Sequence, residues 1–317
     1  METLLTMDEE GAHIASDEIF KKFKGKKISA SLISGLEGCH AKWVADTFVV
    51  DEVVKRPLDN PMTRGSLFHK VMEEVFIEKP ANRTTELVKA KVIEVLSHPD
   101  YDHFKTNKDA VEWLKDAVNG YYKMGGKPQN VRVATIETPK GPKTGIEIFV
   151  IGSIGEAKRK VLGFVDRIIV DPKDETKVIV EDWKSGAKAK HWKSHTKDDE
   201  GWAEQRQQTI YSMILEGDGT DVSSARLIYP VAREVVKVDP NDEAIREKVV
   251  KDVEEADEKL DHLQETNTFE YSPSFLCAFC PVVKICPAAQ VKMVGKLKTA
   301  YQEQPDPEEL QEGIELL

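Results

Sequence analysis

The four cysteines of this chain constrain its fold more than any other feature of the sequence. Cys277, Cys280 and Cys286 follow C-x2-C-x5-C spacing, and Cys39 lies close to the other end of the chain. Thiolates at such short spacing bind zinc or an iron–sulfur cluster in one shared centre. The spacing matches neither the zinc-ribbon nor the ferredoxin pattern, so it does not by itself choose between the two metals. A shared centre would hold the N-terminal segment against the C-terminal segment.

Two disulfides, or four unrelated buried thiols, are the alternative interpretations of these cysteines. Disulfides are typical of secreted proteins, but the N-terminal residues METLLTMDEE lack the apolar segment of a signal peptide. The sequence also contains no run approaching the roughly 20 apolar residues of a membrane span. We therefore expect a cytoplasmic protein with metal-bound cysteines and no membrane partner.

Local charge matters more for a DNA partner than the net charge of −11, and charge is unevenly distributed along this chain. Residues 302–317 are acidic without a single base, whereas a lysine-rich run occupies 184–197. This run begins at a candidate catalytic residue. We therefore interpret Lys188, Lys190 and Lys193 as candidate DNA contacts, with an ordinary solvated surface as the alternative.

Hydrophobic periodicity predicts a mixed α/β core with helical additions. Helical patterns precede residue 125, and runs rich in Val and Ile follow them. The predicted helices cover 31–48, 63–78, 84–96, 108–124, 201–216 and 240–264, and the predicted strands cover 131–137, 145–151, 161–170, 177–183 and 225–232.

These patterns divide the chain into a polar basic lead-in at 1–27, one domain at 28–300 and an acidic tail at 301–317 that we expect to be mobile. The expected parts of the domain are a helical part at 30–125, a sheet core at 130–235, and a segment at 240–290 that contains the long helix and three of the cysteines.

Two neighbouring predicted strands carry charged residues among apolar ones. Asp166 lies in the first strand, and Asp182 and Lys184 share a face of the second because strand residues i and i+2 point the same way. Burying carboxylates among Val and Ile is costly unless a cation binds them, and hard divalent cations prefer carboxylate oxygen. Lys184 would then orient a water or stabilise charge on a phosphate. A surface Asp–Lys pair is the alternative.

Two helical pairs accompany the carboxylates. His69 and Glu73, in a G-x3-H-x3-E pattern, lie one turn apart on one helix face. Gln207 and Tyr211 have the same spacing on the helix that follows the D-x-K strand, and Gln208 is an alternative to Gln207. Each pair by itself is typical of an ordinary helix.

In chain order the motifs run Cys39, G-x3-H-x3-E, G-x2-D, D-W-K-S-G, Q-x3-Y and C-x2-C-x5-C. This succession resembles the RecB-like branch of the PD-(D/E)XK nuclease superfamily. It is most similar to the iron–sulfur members, which are the small CRISPR-associated RecB-like exonucleases, related bacteriophage exonucleases and AddB-type nuclease domains. Each motif is degenerate, but six in this order are specific. The departures are Trp183 at the usual tyrosine and Ser185 at the common threonine.

The resemblance implies a restriction-endonuclease-like fold, in which helices flank a mixed central sheet, with helical insertions and a C-terminal iron–sulfur segment. It implies that the catalytic residues are Asp166, Asp182 and Lys184. A Mg²⁺ or Mn²⁺ ion would be ligated by His69, Asp166, Asp182 and the backbone carbonyl of Trp183, and Lys184 would position the attacking water.

The same resemblance implies supporting roles for other residues. Gln207 and Tyr211 would hold the DNA strand or brace the site, and Glu73 or Glu137 would support the ligands or bind a second metal. The four cysteines, Cys39, Cys277, Cys280 and Cys286, would hold a [4Fe–4S] cluster, so iron is favoured over zinc. Alternation along the strand predicts that Glu181 faces away from Asp182.

The implied activity is a metal-dependent exonuclease that hydrolyses DNA from ends and prefers single strands, in a bacterial or phage-infected cell. Its role would be phage recombination, DNA processing or repair, with a single-strand annealing protein as partner. Spacer acquisition with a CRISPR integrase is the alternative pathway. Two further hypotheses are a DNA-binding subunit whose chemistry is dispensable and a zinc-stapled structural protein. The intact set of His69, Asp166, Asp182 and Lys184 argues against the first of these.

Overall fold

The computed structural model describes residues 4–48, 59, 61–138, 140–186, 201–274, 276–277 and 280–289. The described helices are α1 (Asp17–Lys24), α2 (Ala30–Glu37), α3 (His40–Phe48), α4 (Pro61–Ile77), α5 (Thr85–Val95), α6 (Lys108–Lys123), α7 (Trp202–Gly217) and α8 (Glu243–Thr266). The described strands are β1 (Leu5–Met7), β2 (Ala12–Ile14), β3 (Thr135–Ile136), β4 (Lys143–Thr144), β5 (Ile146–Gly152), β6 (Val161–Asp171), β7 (Asp174–Trp183), β8 (Val222–Tyr229) and β9 (Glu234–Val238).

The chain forms two compact units. The terminal unit comprises Met1–Pro57, Ala157–Arg159 and Asp252–Leu317, and the central unit comprises Leu58–Glu156 and Lys160–Lys251. The division into a lead-in, one domain and a tail stays a prediction. The tail at 301–317 lies outside the described residues.

In the terminal unit, backbone hydrogen bonds join segments from both ends of the chain. The β1–β2 hairpin is bound to Phe269, because Ala12 and Phe269 exchange backbone hydrogen bonds of 3.0 and 2.9 Å. The Phe269 ring packs edge-on against Phe23 at 5.3 Å and lies 6.2 Å from the Trp43 ring. A cysteine centre would therefore add to an association that backbone pairing and aromatic packing already provide.

The predicted helix at 31–48 is two helices, α2 and α3. A Cβ atom at Gly35 would lie 2.3 Å from the Trp43 ring, so the missing side chain lets α3 fold back closely on α2. The reversal follows Gly38, whose backbone N–H donates to the Gly35 carbonyl at 3.2 Å. The periodicity continues across this reversal because both helices bury apolar residues.

The lead-in at 1–27 contains structure that its polar composition did not predict, namely the β1–β2 hairpin and α1. Helix α1 begins after Ser16, whose side chain accepts from the Ile19 amide, and it buries Ile19 and Phe23. Eight residues with two apolar contacts are too short a pattern to detect by periodicity alone.

A five-stranded sheet with the order β5-β6-β7-β8-β9 forms the middle of the central unit. The strands β7 and β8 are parallel, and the other neighbours are antiparallel. Helix α7 connects the parallel pair, as a parallel connection requires. Strand β9 was not predicted, and the predicted strand at 131–137 is only the two residues of β3. The predicted mixed α/β fold is confirmed.

Helices α4, α5 and α6 build an apolar core over one side of this sheet. The core contains Leu67, Phe68, Phe76, Leu114 and Trp183, all of them buried. Helix α7 packs against the sheet as well. Among the described helices, none is both long enough and apolar enough to cross a membrane.

Candidate active site

The carboxylates of two adjacent strands meet the N-terminal half of α4 in the central unit. Arg167 of β6 pairs with Glu181 of β7, so Asp166 and Asp182 occupy the next position along each strand. The Asp166 carboxylate accepts from the Trp183 backbone N–H at 2.6 Å. Helix α4 brings His69 Nδ1 to 3.5 Å from Asp166 Oδ1. The structure thus brings His69 and Asp166 together. Asp182 is near enough for its charge to raise the pKa of His69, but it is not among the ligand atoms that lie within 4.8 Å of one another.

The orientation of the His69 ring suits a metal ligand. Its Nε2 lies 2.9 Å from the Trp183 carbonyl oxygen, which can only accept, so Nε2 carries a proton. Nδ1 therefore faces the carboxylates of Asp166 and Glu147, at 3.5 and 3.9 Å. Such a hydrogen bond on the far ring nitrogen is the usual way in which a ligating histidine is oriented.

Glu147 is a site residue that the sequence analysis missed. His69, Glu147 and Asp166 each offer a ligand atom, and these three atoms all lie within 4.8 Å of one another. Two register pairs, Ile146 with Arg167 and Ile148 with Val165, place Glu147 directly opposite Asp166. Counting along the β5–β6 hairpin would have found this acid.

The backbone at Glu147 is strained, with φ of 46°. A side chain with a Cβ rarely adopts this left-handed region, and such strain clusters at functional sites. Two carboxylates that face each other across a strand pair also repel. Both costs are explained if a cation binds between Glu147 and Asp166.

The pKa values reflect this concentration of negative charge. Burial alone would lower the pKa of His69, but its hydrogen bond to Asp166 and the surrounding carboxylates raise it to about 9. Burial and the charge of Asp166 raise the pKa of Glu147 to about 7. Burial and Asp166 likewise raise the pKa of Asp182, against the opposing effect of Lys184. A bound divalent cation would relieve this repulsion.

A chain of polar contacts positions Lys184. Its Nζ lies 2.8 Å from Asp182 Oδ2 and donates to Gln207 Oε1 at 2.9 Å. Gln207 Nε2 in turn donates to the Tyr211 hydroxyl at 3.0 Å. Burial raises the pKa of Tyr211 to about 12, so it stays a neutral phenol. Gln208, the alternative to Gln207, is fully buried and takes no part in this chain.

Two motif glycines are explained by close approach. A Cβ atom at Gly163 of the G-x2-D motif would lie 2.1 Å from the Tyr211 ring. A Cβ atom at Gly65 of the G-x3-H motif would lie 2.8 Å from the Ser185 hydroxyl oxygen. The glycines thus let α4 and α7 approach the strands that carry the carboxylates.

The remaining candidate residues are not part of the ligand cluster. Glu73 pairs with Lys70 at 3.0 Å and is not one of the three clustered ligands, but its charge helps to raise the pKa of Glu147. Glu137 is exposed and is not one of them either. The candidate DNA contacts Lys188, Lys190 and Lys193 lie outside the described residues.

The four cysteines all belong to the terminal unit, and none of them forms a disulfide. Burial raises the pKa of Cys280 to about 12, and nearby Cys39 adds to that shift. Burial also raises the pKa of Cys286, with smaller contributions from Cys39 and Cys277. Backbone amides donate to the sulfurs of Cys280 and Cys286 and oppose these shifts. The cysteines are therefore near enough for their charges to influence one another, and a shared metal centre stays a prediction.

The sulfurs are not arranged as tightly as a zinc site requires. A tetrahedral zinc site with Zn–S bonds of about 2.3 Å places its sulfurs about 3.8 Å apart. All four cysteines are among the described residues, and no three of their sulfurs lie within 4.8 Å of one another.

Comparison with known sequences identifies the family. A sequence profile of the PD-(D/E)XK nuclease superfamily matches residues 27–287. The chain belongs to the PD-(D/E)XK nuclease superfamily. The match covers Cys39, Cys286 and all the strands of the central sheet, so this sheet is that of a restriction-endonuclease-like fold. Nucleases of the PD-(D/E)XK superfamily use divalent metals, and the clustered ligands fit one.

Two other comparisons add little to this assignment. No curated protein matches the chain. One matching solved structure is titled "Crystal structure of SSO0001", with a TM-score of 0.33 and 16% identity over 72% of this chain and 97% of that chain. A TM-score this low carries no argument about fold or function.

Proposed function

We propose that this PD-(D/E)XK protein is a metal-dependent DNA exonuclease that degrades DNA from ends and prefers single strands. One observation carries the proposal: the fold assembles Asp166, Asp182, Lys184 and His69 at one place. A protein that only bound DNA would gain nothing from keeping mutually repelling carboxylates beside a positioned lysine.

The ligands of the proposed Mg²⁺ or Mn²⁺ are His69, Asp166 and Asp182. The Trp183 carbonyl, which was predicted to be a further ligand, instead accepts from Nε2 of His69, on the side of the ring that faces away from the carboxylates. Glu147 joins this set because its carboxylate belongs to the same cluster as His69 and Asp166. When bound, the cation supplies positive charge at the phosphate and lowers the pKa of a water molecule. Carboxylate and carbonyl oxygens are the donors that hard cations prefer.

Lys184 is the residue that acts on the attacking water and the phosphate. Asp182 and Gln207 hold its ammonium group from two sides, at 2.8 and 2.9 Å. The pKa of Lys184 is raised, because its attraction to Asp182 outweighs burial, so the lysine stays charged. A fixed positive charge stabilises the negative charge that develops on the phosphate oxygens.

We further propose that Cys39, Cys277, Cys280 and Cys286 hold a [4Fe–4S] cluster. The four thiols lie in one unit, and no three of their sulfurs lie within 4.8 Å of one another, as those of a zinc site would. Backbone amides that donate to Cys280 and Cys286 would stabilise their thiolates. The proposed role is structural, because the cluster would fix residues 277–286 against α3 of the same unit.

The nuclease proposal is tested with a single substitution and two forms of DNA. Asp182→Asn should lower cleavage of linear DNA at least roughly a thousandfold, because each role of the metal is worth several kcal/mol of barrier. Asp174→Asn, at the other end of β7, is the matched control and should cleave normally. Mg²⁺ or Mn²⁺ should support cleavage, whereas Ca²⁺ should not. Equal rates on closed duplex circles and linear DNA would overturn the exonuclease assignment.

The cluster proposal is tested by anaerobic purification. The protein should be brown, with broad absorbance near about 400 nm and roughly four irons per chain. Cys277→Ser should lose iron and increase protease cleavage around residues 277–289, since metal binding is also folding energy. Colourless protein that contains zinc would contradict the cluster and leave the nuclease proposal untouched.

Pathway and partners belong to the same proposal. We propose phage recombination, DNA processing or repair in a bacterial cell, with a single-strand annealing protein as partner. A neighbouring gene for such a protein would support this pathway, and a neighbouring integrase gene would favour spacer acquisition.

A further inference from the structure

Two phenylalanine rings lie exposed side by side on the β5–β6 hairpin. Phe149 and Phe164 are opposite each other in the strand register, and their ring centroids are 5.3 Å apart. Their exposed fractions are 44% and 57%, although both are large apolar side chains. Ile151, the next outward residue of β5, is also exposed. A paired aromatic surface open to solvent is typical of a binding site rather than of core packing.

The pair lies immediately beside the candidate metal ligands. Phe149 follows Glu147 by two residues on β5, and Phe164 precedes Asp166 by two residues on β6. Two residues of a strand span about 7 Å. The Cα atoms of Phe149 and Phe164 therefore lie about 7 Å from those of Glu147 and Asp166, the ligands on the same two strands.

The β5–β6 hairpin contacts the chain of hydrogen bonds that positions Lys184. The Tyr211 ring packs against Gly163, where a Cβ atom would come within 2.1 Å of it. The Tyr211 hydroxyl accepts from Gln207, which holds Lys184. Phe164 follows Gly163 directly, so the exposed ring and the catalytic lysine share one rigid support.

We infer that Phe149 and Phe164 form a stacking surface for an unpaired base of the DNA strand whose phosphate reaches the metal centre. This inference rests on the proposed nuclease function and adds the residues that select single strands. Every base has a π-face, so aromatic stacking tolerates any sequence. A base inside a duplex is already stacked on both faces and paired, so an unpaired base covers these rings at lower cost.

The test separates base stacking from general apolar contact. Phe149→Leu/Phe164→Leu removes both rings and keeps apolar bulk, and Val235→Ala on β9, also exposed, is the control. Affinity for a fluorescein-labelled oligothymidine is measured by anisotropy in EDTA, so that no cleavage occurs. A series of oligonucleotides carries one abasic site at each position in turn.

At one or two positions, an abasic site should weaken binding to the native protein roughly five- to a hundredfold, the value of one stacked base. The double leucine variant should bind intact DNA as weakly as native protein binds that abasic DNA, and should not respond to the abasic site. Phe149→Leu/Phe164→Trp, which puts one aromatic ring back into the double leucine variant, should restore the response, and Val235→Ala should behave like native protein.

Equal abasic effects in native and double leucine proteins would overturn the inference. A sedimentation change from dimer to monomer in the double leucine variant would also overturn it, since the rings would then cover a second copy of the chain. Failure of the nuclease proposal is distinguishable. If the native protein does not cleave DNA but the abasic effect depends on the two rings, only the nuclease proposal is rejected. If the protein cleaves DNA but the abasic effect does not depend on the rings, only the stacking surface is rejected.

Discussion

The two faces of the β6–β7 strand pair carry different arrangements of charge: one holds an ion pair and the other holds two carboxylates. On one face, the consecutive partners Arg167 and Glu181 form a buried ion pair, with Arg167 Nη2 2.7 Å from Glu181 Oε2. One position further along both strands, Asp166 and Asp182 are two buried carboxylates without such a pairing between them. Burial and the charge of Asp166 raise the pKa of Asp182. Adjacent residues of one strand thus belong to two different electrostatic environments.

The Arg167 side is a fully satisfied structural cluster. The guanidinium lies 4.1 Å from the Phe76 ring and 4.4 Å from the Trp183 ring, and Tyr121 lies nearby. Glu181 also forms an ion pair with Arg226, in which Arg226 Nη1 lies 3.4 Å from Glu181 Oε1. Glu181 therefore faces away from Asp182, as strand alternation predicted.

Trp183 belongs to both faces. Its ring packs in the structural cluster against Phe68 and Phe76, and its backbone carbonyl accepts from His69. The satisfied face thereby fixes the backbone of the strand that presents the carboxylates on the other face.

The largest expected effect on stability comes from breaking the satisfied face. Arg167→Met should lower the free energy of unfolding by about 3–5 kcal/mol, because Glu181 is left as a buried charge with its main partner gone. Urea denaturation followed by circular dichroism measures this loss. Arg167→Met/Glu181→Leu should recover most of the stability, and a double variant as unstable as the single one would show that the ion pair is not the cause.

On the repelling face, removing one carboxylate should weaken metal binding. Glu147→Gln should raise the Kd for Mn²⁺ at least about tenfold, because one donor of the cluster loses its charge. Isothermal titration calorimetry measures the affinity. Glu137→Gln is the control, since Glu137 is exposed and outside the cluster. An equal loss of affinity in both variants would reject Glu147 as a ligand.

The support of Lys184 should matter for rate and not for metal affinity. Gln207→Leu should lower kcat about tenfold with an unchanged Kd for Mn²⁺, because Lys184 loses one of its two fixed contacts. Single-turnover kinetics measures this effect. Gln205→Leu, on the same helix, is the control, and an unchanged kcat for the Gln207 variant would place Gln207 outside catalysis.

The smallest effect is on pH dependence in EDTA. The pKa values of Glu147, raised to about 7, and of His69, raised to about 9, mean that the folded state binds protons more tightly than the unfolded state. The resulting stability is full at low pH and is lost as pH rises through about 5 to 9. Thermal unfolding should therefore show a falling Tm over this range, with a shallower fall in Glu147→Gln and after Mn²⁺ addition. A Tm that rises with pH would contradict these shifts.

The sequence alone determined the features that depend on spacing within one element. Strand alternation put Asp182 and Lys184 on one face and Glu181 on the other, and a one-turn spacing linked Gln207 to Tyr211. The change from helical to strand periodicity predicted the mixed α/β fold. These relations are set by the local geometry of strand and helix, so they can be inferred without knowing what packs against them.

Only the tertiary structure decided which residues of neighbouring strands lie opposite each other. Glu147 joins the cluster because the β5–β6 register places it opposite Asp166, whereas Glu137, an equally plausible acid by sequence, is exposed. The same register pairs Phe149 with Phe164 beside the ligands. Cross-strand register depends on turn geometry and on which face is buried. A one-residue slip would bring different side chains together, and no local pattern in the sequence excludes that slip.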